Sequence, residues 1–417
     1  MQYREYGKTG KKVSVIGFGG MRFENEKDGI EAVRRAAELG VNYFDTAHTY
    51  FNGKSEYIVG KGLEGFKDKV YISNKSMISK DPTADNVRRR IDKSLKVMGI
   101  PKITFYHMWG ILSWEMFERL LKAGGPYEGA LKSKDEGLIE HIVFSVHANG
   151  DEIVKMVDTG LFEGVTLGYN IINYPYRLKG LQAAYETGMG VATMNSLHGG
   201  LIPLAERELS FIREGDNDTV VLAALRFNLS HKEISVALSG MKNIREVEEN
   251  VKAADQITMP SPVMVEALKE KVSKWNRTLC TTCDYCQPCT KGIPISTYMS
   301  ILDRYRMGQV TEARLHYIYS HFKGVLGKNM AVDCNECDAC EKKCTQHLDI
   351  INRLKEAHKV FESGSLFHIK LYQKLLYINV QLQERKFLGK MYLSVLWMLS
   401  PLLRKLLPEY EEIIPKK

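Results

Sequence analysis

The chain has 417 residues, 44% of them hydrophobic and 26% charged, with a formal net charge of +8. These are the proportions of a globular protein with a substantial core, and the length calls for more than one domain of roughly 100–200 residues. No Lys/Arg block long enough to grip nucleic acid occurs, so nucleic acid is excluded as a partner and the modest positive charge points to acidic proteins or a membrane surface.

From Val13 to Asp255 one pattern repeats: a short β-branched run, a turn, then a segment with helical spacing. The predicted strands are Val13–Gly17, Val41–Asp45, Val70–Asn74, Ile103–His107, Ile139–Val146, Gly164–Tyr169, Gly190–Met194 and Ile234–Ser239. The predicted helices include Gly29–Leu39, Ala84–Met98, Ile153–Thr159, Leu178–Thr187, Asp218–Leu229 and Asn243–Ala254. Asp85 and Asn243 read as helix caps, and Gly40, Gly99 and Gly160 as helix ends. Eight strand–helix alternations within about 250 residues predict an α/β fold, a closed (β/α)8 barrel over residues 1–260.

Pro260-Ser-Pro262 marks a boundary, followed by a predicted helix at Val263–Trp275 and a cysteine-bearing domain over 261–360. Within it Ser296–Gly308 and Thr311–Phe322 carry helical spacing. A helical extension is expected over 361–417. It contains the uncharged run Met391–Leu403 between Lys390 and Arg404. That run is shorter than the roughly 20 residues of a membrane span. Two readings fit the stretch 387–407: a helix packed on the cysteine domain or on a second copy of the chain, and a helix lying at a membrane surface. The packed helix is the expected reading, and the second rests on Trp397, Tyr392 and the flanking basic residues.

All eight cysteines fall in two runs. Cys280, Cys283, Cys286 and Cys289 are spaced C-x2-C-x2-C-x2-C, and Cys334, Cys337, Cys340 and Cys344 are spaced C-x2-C-x2-C-x3-C. Thiolates two residues apart in a turn converge on an iron–sulfur cube, so two runs predict two [4Fe–4S] clusters. Zinc and disulfides are the competing readings. Zinc usually takes two separate C-x2-C pairs, without a third cysteine in step. Disulfides belong to exported chains, whereas Met1-Gln-Tyr-Arg-Glu is polar and leads straight towards a strand. A reducing, cytoplasmic setting is therefore expected. The distance between the runs, with helices between them, resembles the α-helical type of two-cluster ferredoxin. In that type the fourth cysteine of each run usually serves the other cube, which implies Cys280, Cys283, Cys286 and Cys344 around one and Cys289, Cys334, Cys337 and Cys340 around the other.

Four polar residues stand at or just after successive strand ends, where barrel enzymes keep their chemistry. Asp45 ends Val41–Asp45, Tyr50 follows in the loop, Lys75 follows Val70–Asn74, and His107 ends Ile103–His107. A tyrosine is a weak proton donor at neutral pH unless a neighbour tunes it. A lysine held by an aspartate would do so, and a histidine beside them would orient a carbonyl. In this order the four resemble the Asp, Tyr, Lys and His of the aldo/keto reductases, over residues 1 to 255. The whole chain resembles the branch of that family with a C-terminal dicluster domain.

The resemblance implies reduction of a small carbonyl compound, or its reverse, with NAD(P)H. It places cofactor contacts at Gly19 and Gly20, at Ser145 and Asn170, and at Ser239, Gly240 and Lys242. Glu249 and Asn250 would lie on the adenine side. The chain departs from the family at Thr166, Met194-Asn-Ser-Leu197 and Glu246, which stand in place of a glutamine, a stacking aromatic and an arginine. Hydride transfer moves two electrons while a cube passes one, so FMN is an alternative or additional cofactor, on the phosphate-suited loops after the last two strands. A redox partner such as ferredoxin or flavodoxin follows from the clusters. The second reading is an electron carrier whose barrel is a docking or flavin-holding platform.

Overall fold

The computed structural model describes residues 1–362 except 216–217, 256, 258–259, 261, 273–277, 323–325 and 327–328. The expected extension from residue 363 on, including Met391–Leu403 and all of 387–407, lies outside the described residues. The chain forms two compact units, residues 1–281 and 282–417.

The first unit opens with an antiparallel hairpin, β1 (Tyr3–Glu5) and β2 (Lys12–Ser14). Eight parallel strands then close a barrel: β3 (Ile16–Gly19), β4 (Tyr43–Asp45), β5 (Tyr71–Met77), β6 (Ile103–Ile111), β7 (Ile139–Val146), β8 (Gly164–Gly168), β9 (Gly190–Met194) and β10 (Val236–Gly240). The expected (β/α)8 architecture is present with shifted strand bounds: β5 and β6 run on to Met77 and Ile111, so Lys75 and His107 lie within strands and not at their ends. Val13 belongs to the hairpin, and the first barrel strand starts at Ile16. The run Val13–Ile16 is interrupted at Ser14, whose hydroxyl donates to the Ile16 carbonyl at 2.7 Å where the chain passes from hairpin to barrel.

The hairpin plugs the bottom of the barrel. Tyr6, fully buried, meets the rings of Phe105 at 4.4 Å and Tyr43 at 5.9 Å, in a cluster with Val13, Val143, Ala192 and Val236. Aromatic burial of this kind carries much of a core's stabilisation. It also dictates the glycine that starts β9: a Cβ at Gly190 would lie 2.0 Å from the Tyr6 ring. Helix ends follow local chemistry. The cap of Ala84–Met98 is the Thr83 side chain, which accepts from the Asn86 amide, and not Asp85. Gly99 closes that helix at φ 62, a conformation that favours glycine. Asn243 caps Ile244–Asn250 as expected. Two helices between β6 and β7, Trp114–Leu120 and Pro126–Asp135, were not anticipated, although Ser113 caps the first and a proline starts the second.

The described part of the second unit, residues 282–362, contains helices and turns and no strand. Ile295–Arg306, Val310–Phe322 and Ile350–Ala357 pack through Tyr298, Ile301, Leu302, Tyr317, Leu354 and Phe361. A buried ion pair, Arg353 to Asp303 at 3.2 Å, joins the first and third of these helices. Tyr298 donates to Glu362 at 2.6 Å, and Glu362 also accepts from the Ala331 amide, just ahead of the second cysteine run.

Candidate active site

Strand register assembles the core of the site. Asp45 pairs with Ser73 across β4 and β5, and Lys75 pairs with His107 across β5 and β6. Residues two apart on a strand share a face, so Ser73 and Lys75 both point into the same space as Asp45 and His107. Lys75 Nζ donates to both Asp45 oxygens, at 2.7 and 2.6 Å, and to the Thr46 carbonyl at 2.9 Å. The Ser73 hydroxyl donates to Asp45 Oδ1 at 2.6 Å and lies 2.9 Å from His107 Nε2. Its single proton goes to the carboxylate, so Nε2 of His107 must carry the hydrogen that reaches Ser73.

The chain His107 to Ser73 to Asp45 to Lys75 is closed and buried, the three ionisable members being 0%, 6% and 4% exposed. Burial drives His107 well below the ordinary histidine value, and the Lys75 charge adds to this, so the imidazole is neutral. Burial also lowers the Lys75 ammonium, against which the charge and hydrogen bonds of Asp45 work. Tyr50, in the turn Tyr50–Gly53, lies with its ring centroid 4.8 Å from Lys75 Nζ and edge-on to Trp109 at 5.7 Å. Phe51 and Asn52 follow it at φ 47 and 54, a bend few side chains adopt without the support of surrounding structure.

The structure thus brings Asp45, Lys75 and His107 into one network with Tyr50 against it. Ser73, its central link, was missed from sequence, although its place two residues before Lys75 was the available signal.

The expected cofactor residues divide. Gly20 donates to the Asp45 carbonyl at 2.8 Å, and a Cβ there would meet Ser55 Oγ at 2.9 Å. A Cβ on Gly19 would lie 3.2 Å from the Ser239 carbonyl, so close packing explains both glycines. Ser145 Oγ reaches Met194 Sδ at 3.9 Å. Asn170 is engaged within the protein: Oδ1 accepts from Ile172 and Asn173, while Nδ2 donates to the Asn195 carbonyl and faces His198 Nδ1 at 3.2 Å. Ser239 accepts from Asn250 at 2.9 Å, and exposed Gly240 ends β10 beside them. The Lys242 amide donates to Glu246, and Glu249 accepts from Thr219 at 3.5 Å.

A polar group at the ends of β7 to β9 was not foreseen. Arg177 is fully buried and donates to the carbonyls of His147, Ala148 and Gly168 at 2.7, 3.1 and 3.1 Å. Burial, then the Arg177 charge, pushes His147 down to about 3 and His198 to about 4.

In the second unit the cysteines are unbridged thiols. Cys286, Cys289, Cys334, Cys337 and Cys340 line one small cavity. Burial, then the neighbouring Cys283, Asp284, Cys344 and Cys340, push the Cys286 thiol up to about 12. Among the described residues, no three His, Cys, Asp or Glu side chains are placed to hold a single metal ion. Cys280 falls in the first unit, at its end.

The aldo/keto reductase family model matches residues 15–271, more than half of the chain. The chain belongs to the aldo/keto reductase family. L-galactose dehydrogenase of Arabidopsis thaliana is 27% identical over 294 residues, 62% of this chain and 89% of that protein. A putative voltage-gated potassium channel subunit beta of Schizosaccharomyces pombe is 24% identical over 318 residues, 64% of this chain and 92% of its own. The holo form of aldo-keto reductase AKR11C1 from Bacillus halodurans superposes with a TM-score of 0.56 at 22% identity. That likeness covers 65% of this chain and 96% of the other, and shows the shared fold. The protein is an oxidoreductase of aldo/keto reductase type. Among the described residues, no helix is long and apolar enough to cross a membrane.

Proposed function

We propose that this aldo/keto reductase interconverts a small carbonyl compound and its alcohol with NAD(P)H, and that its cysteines hold two [4Fe–4S] clusters that exchange electrons with a carrier such as ferredoxin or flavodoxin. The observation that carries the barrel half is the buried Lys75–Asp45–Ser73–His107 network with Lys75 beneath the Tyr50 ring. Bound nicotinamide supplies a hydride to the carbonyl carbon, and the proton for its oxygen must come from the protein. The Tyr50 hydroxyl gives it. The Lys75 ammonium stabilises the resulting tyrosinate, and Asp45 fixes the ammonium from its far side. Neutral His107, through Ser73, holds Asp45 in place and so acts as a positioning residue.

The cavity lined by Cys286, Cys289, Cys334, Cys337 and Cys340 supports one cubic site, with the last four as its thiolates. The closeness of Cys286 to Cys283, Cys344 and Cys340 supports a second group of thiolates. A cube binds each thiolate at a different iron, so the four sulfurs surround a volume and need not converge on one point, as a single zinc ion would require. The clusters supply one-electron steps.

Anaerobically purified protein should contain about eight iron and eight sulfide per chain, the sum of two cubes. Zinc without sulfide refutes the clusters. A panel of aldehydes, including sugars because a relative is named for L-galactose, should support NAD(P)H oxidation. A panel that is silent throughout refutes the carbonyl reductase.

A further inference from the structure

The cysteine runs share a feature beyond their ligands. The residue after the fourth cysteine of each run is a threonine, Thr290 after Cys289 and Thr345 after Cys344. Bacterial runs with the spacing of the second, C-x2-C-x2-C-x3-C, commonly carry proline there, which has no hydroxyl. In the structure each threonine crosses to the other run and meets its second cysteine. Thr290 Oγ1 lies 3.4 Å from Cys337 Sγ, and Thr345 Oγ1 lies 3.6 Å from Cys283 Sγ. Position in the run, direction of crossing and target are the same in both cases. Two matched contacts of this kind are hard to ascribe to packing alone.

We propose that Thr290 and Thr345 are a matched pair of hydroxyl donors that set the reduction potentials of the two clusters, and this rests on the cluster reading above. A coordinated cysteine is a thiolate and only accepts, so the hydroxyl is the donor in both contacts. Reduction adds one electron to a cube and places more negative charge on its sulfurs. A donor aimed at a sulfur therefore stabilises the reduced form and raises the potential. No bond is made or broken at threonine.

The two contacts differ in strength for reasons visible in their surroundings. Thr345 is buried, and its oxygen accepts from Gln346 Nε2 at 3.3 Å, which leaves its proton for Cys283. Thr290 is exposed, its proton is shared between Cys337 and Asn335 Oδ1 at 3.5 Å, and Cys337 is itself exposed to water. Water replaces a lost hydroxyl at Cys337 more easily than at Cys283, where the lower local dielectric also strengthens the bond.

The test is an anaerobic redox titration of the full-length protein, followed by electron-spin resonance, with iron and sulfide counted on every sample. Thr290→Val should lower one of the two midpoint potentials and Thr345→Val the other, with the larger shift from Thr345→Val. Thr290→Ser and Thr345→Ser should restore wild-type values. If Thr345→Val loses iron, Gln346→Leu takes its place. It keeps the hydroxyl but frees it to turn, so the same midpoint should fall by less. Midpoints unmoved in the valine variants, or in Gln346→Leu where it substitutes, overturn the proposal, as does a shift of the same midpoint by both threonine changes. Wild-type protein free of sulfide overturns the cluster reading itself, a result the iron count separates from the others.

Discussion

Lys75→Met separates the two roles of the buried ion pair, because it removes a charge while keeping most of the side chain's length. Asp45, 6% exposed, then loses both contacts from Nζ, at 2.7 and 2.6 Å, and keeps the hydrogen bond from the Ser73 hydroxyl. Breaking a buried pair from one side destabilises by about 3–5 kcal/mol, since the remaining charge is left without compensation. Asp45→Asn alone strands the lysine in the same way and should cost a similar amount. The double variant Asp45→Asn/Lys75→Met has no stranded charge and should recover most of the loss, giving a large favourable coupling in a double-mutant cycle. Turnover behaves differently: all three variants lack the ammonium beside Tyr50, or its anchor, and should be slow. Urea unfolding followed by tryptophan fluorescence reads the barrel's stability, and NAD(P)H oxidation with an accepted aldehyde reads activity. If Lys75→Met unfolds within about 0.5 kcal/mol of wild type, the electrostatic account of the network is wrong. If the double variant regains activity along with stability, the assignment of Lys75 to catalysis fails.

Tyr50→Phe keeps the ring over Lys75 and removes only the hydroxyl, so turnover should fall by about two to four powers of ten while urea stability stays near wild type. Equal activity would transfer proton donation to another group. For the histidines the folded pKa is depressed, to about 3 for His147 and about 4 for His198. Their stabilisation is full above the unfolded value of about 6.5 and is lost as pH falls towards the folded one, at up to ~1.4 kcal/mol per pH unit for each. Unfolding curves at pH 7 and pH 5 should therefore differ, and His198→Gln should flatten the difference; parallel pH dependence in the variant would refute this. Arg177→Met strands three buried carbonyls and should destabilise by about 3 kcal/mol, measurable by urea unfolding, whereas a neutral result would mean that water or backbone shifts take over the bonds.

The sequence made Asp45, Lys75 and His107 visible because each sits at or near the end of a β-branched run, and strand ends on a parallel barrel share one face. Ser73 was equally within reach through the two-residue period. Other features depend on contacts between distant segments. Gly190 is explained by the Tyr6 ring, which lies far away in sequence. Arg177 stands in the first turn of the helix Tyr174–Glu186, its partners are carbonyls of two other segments, and backbone carbonyls leave no trace in a residue string. The break between β2 and β3 was lost for a different reason: a β-branched run with one serine in it serves a hairpin and a buried strand equally well. In the second unit the spacing of the cysteines was plain, but the crossing of Thr290 and Thr345 appears only when the runs are folded together.

The two halves of the proposed function make opposite demands on electrons. The barrel network is built around a proton and a hydride, a two-electron step that needs no iron, whereas a cube takes one electron at a time. Two cubes together accept the pair that one alcohol oxidation releases, so the electron count closes with one electron on each. What remains is the splitting of the hydride, which neither thiolate nor tyrosine can perform and which falls to a flavin in other enzymes. The tetrad bears on this directly. In the proposed mechanism Tyr50, Lys75 and Asp45 deliver a proton to a carbonyl oxygen, work that a platform merely holding a flavin would not require. On this proposal, catalysis in the barrel and electron storage at the cysteines are separable activities, and a flavin found on extraction would be the group that joins them.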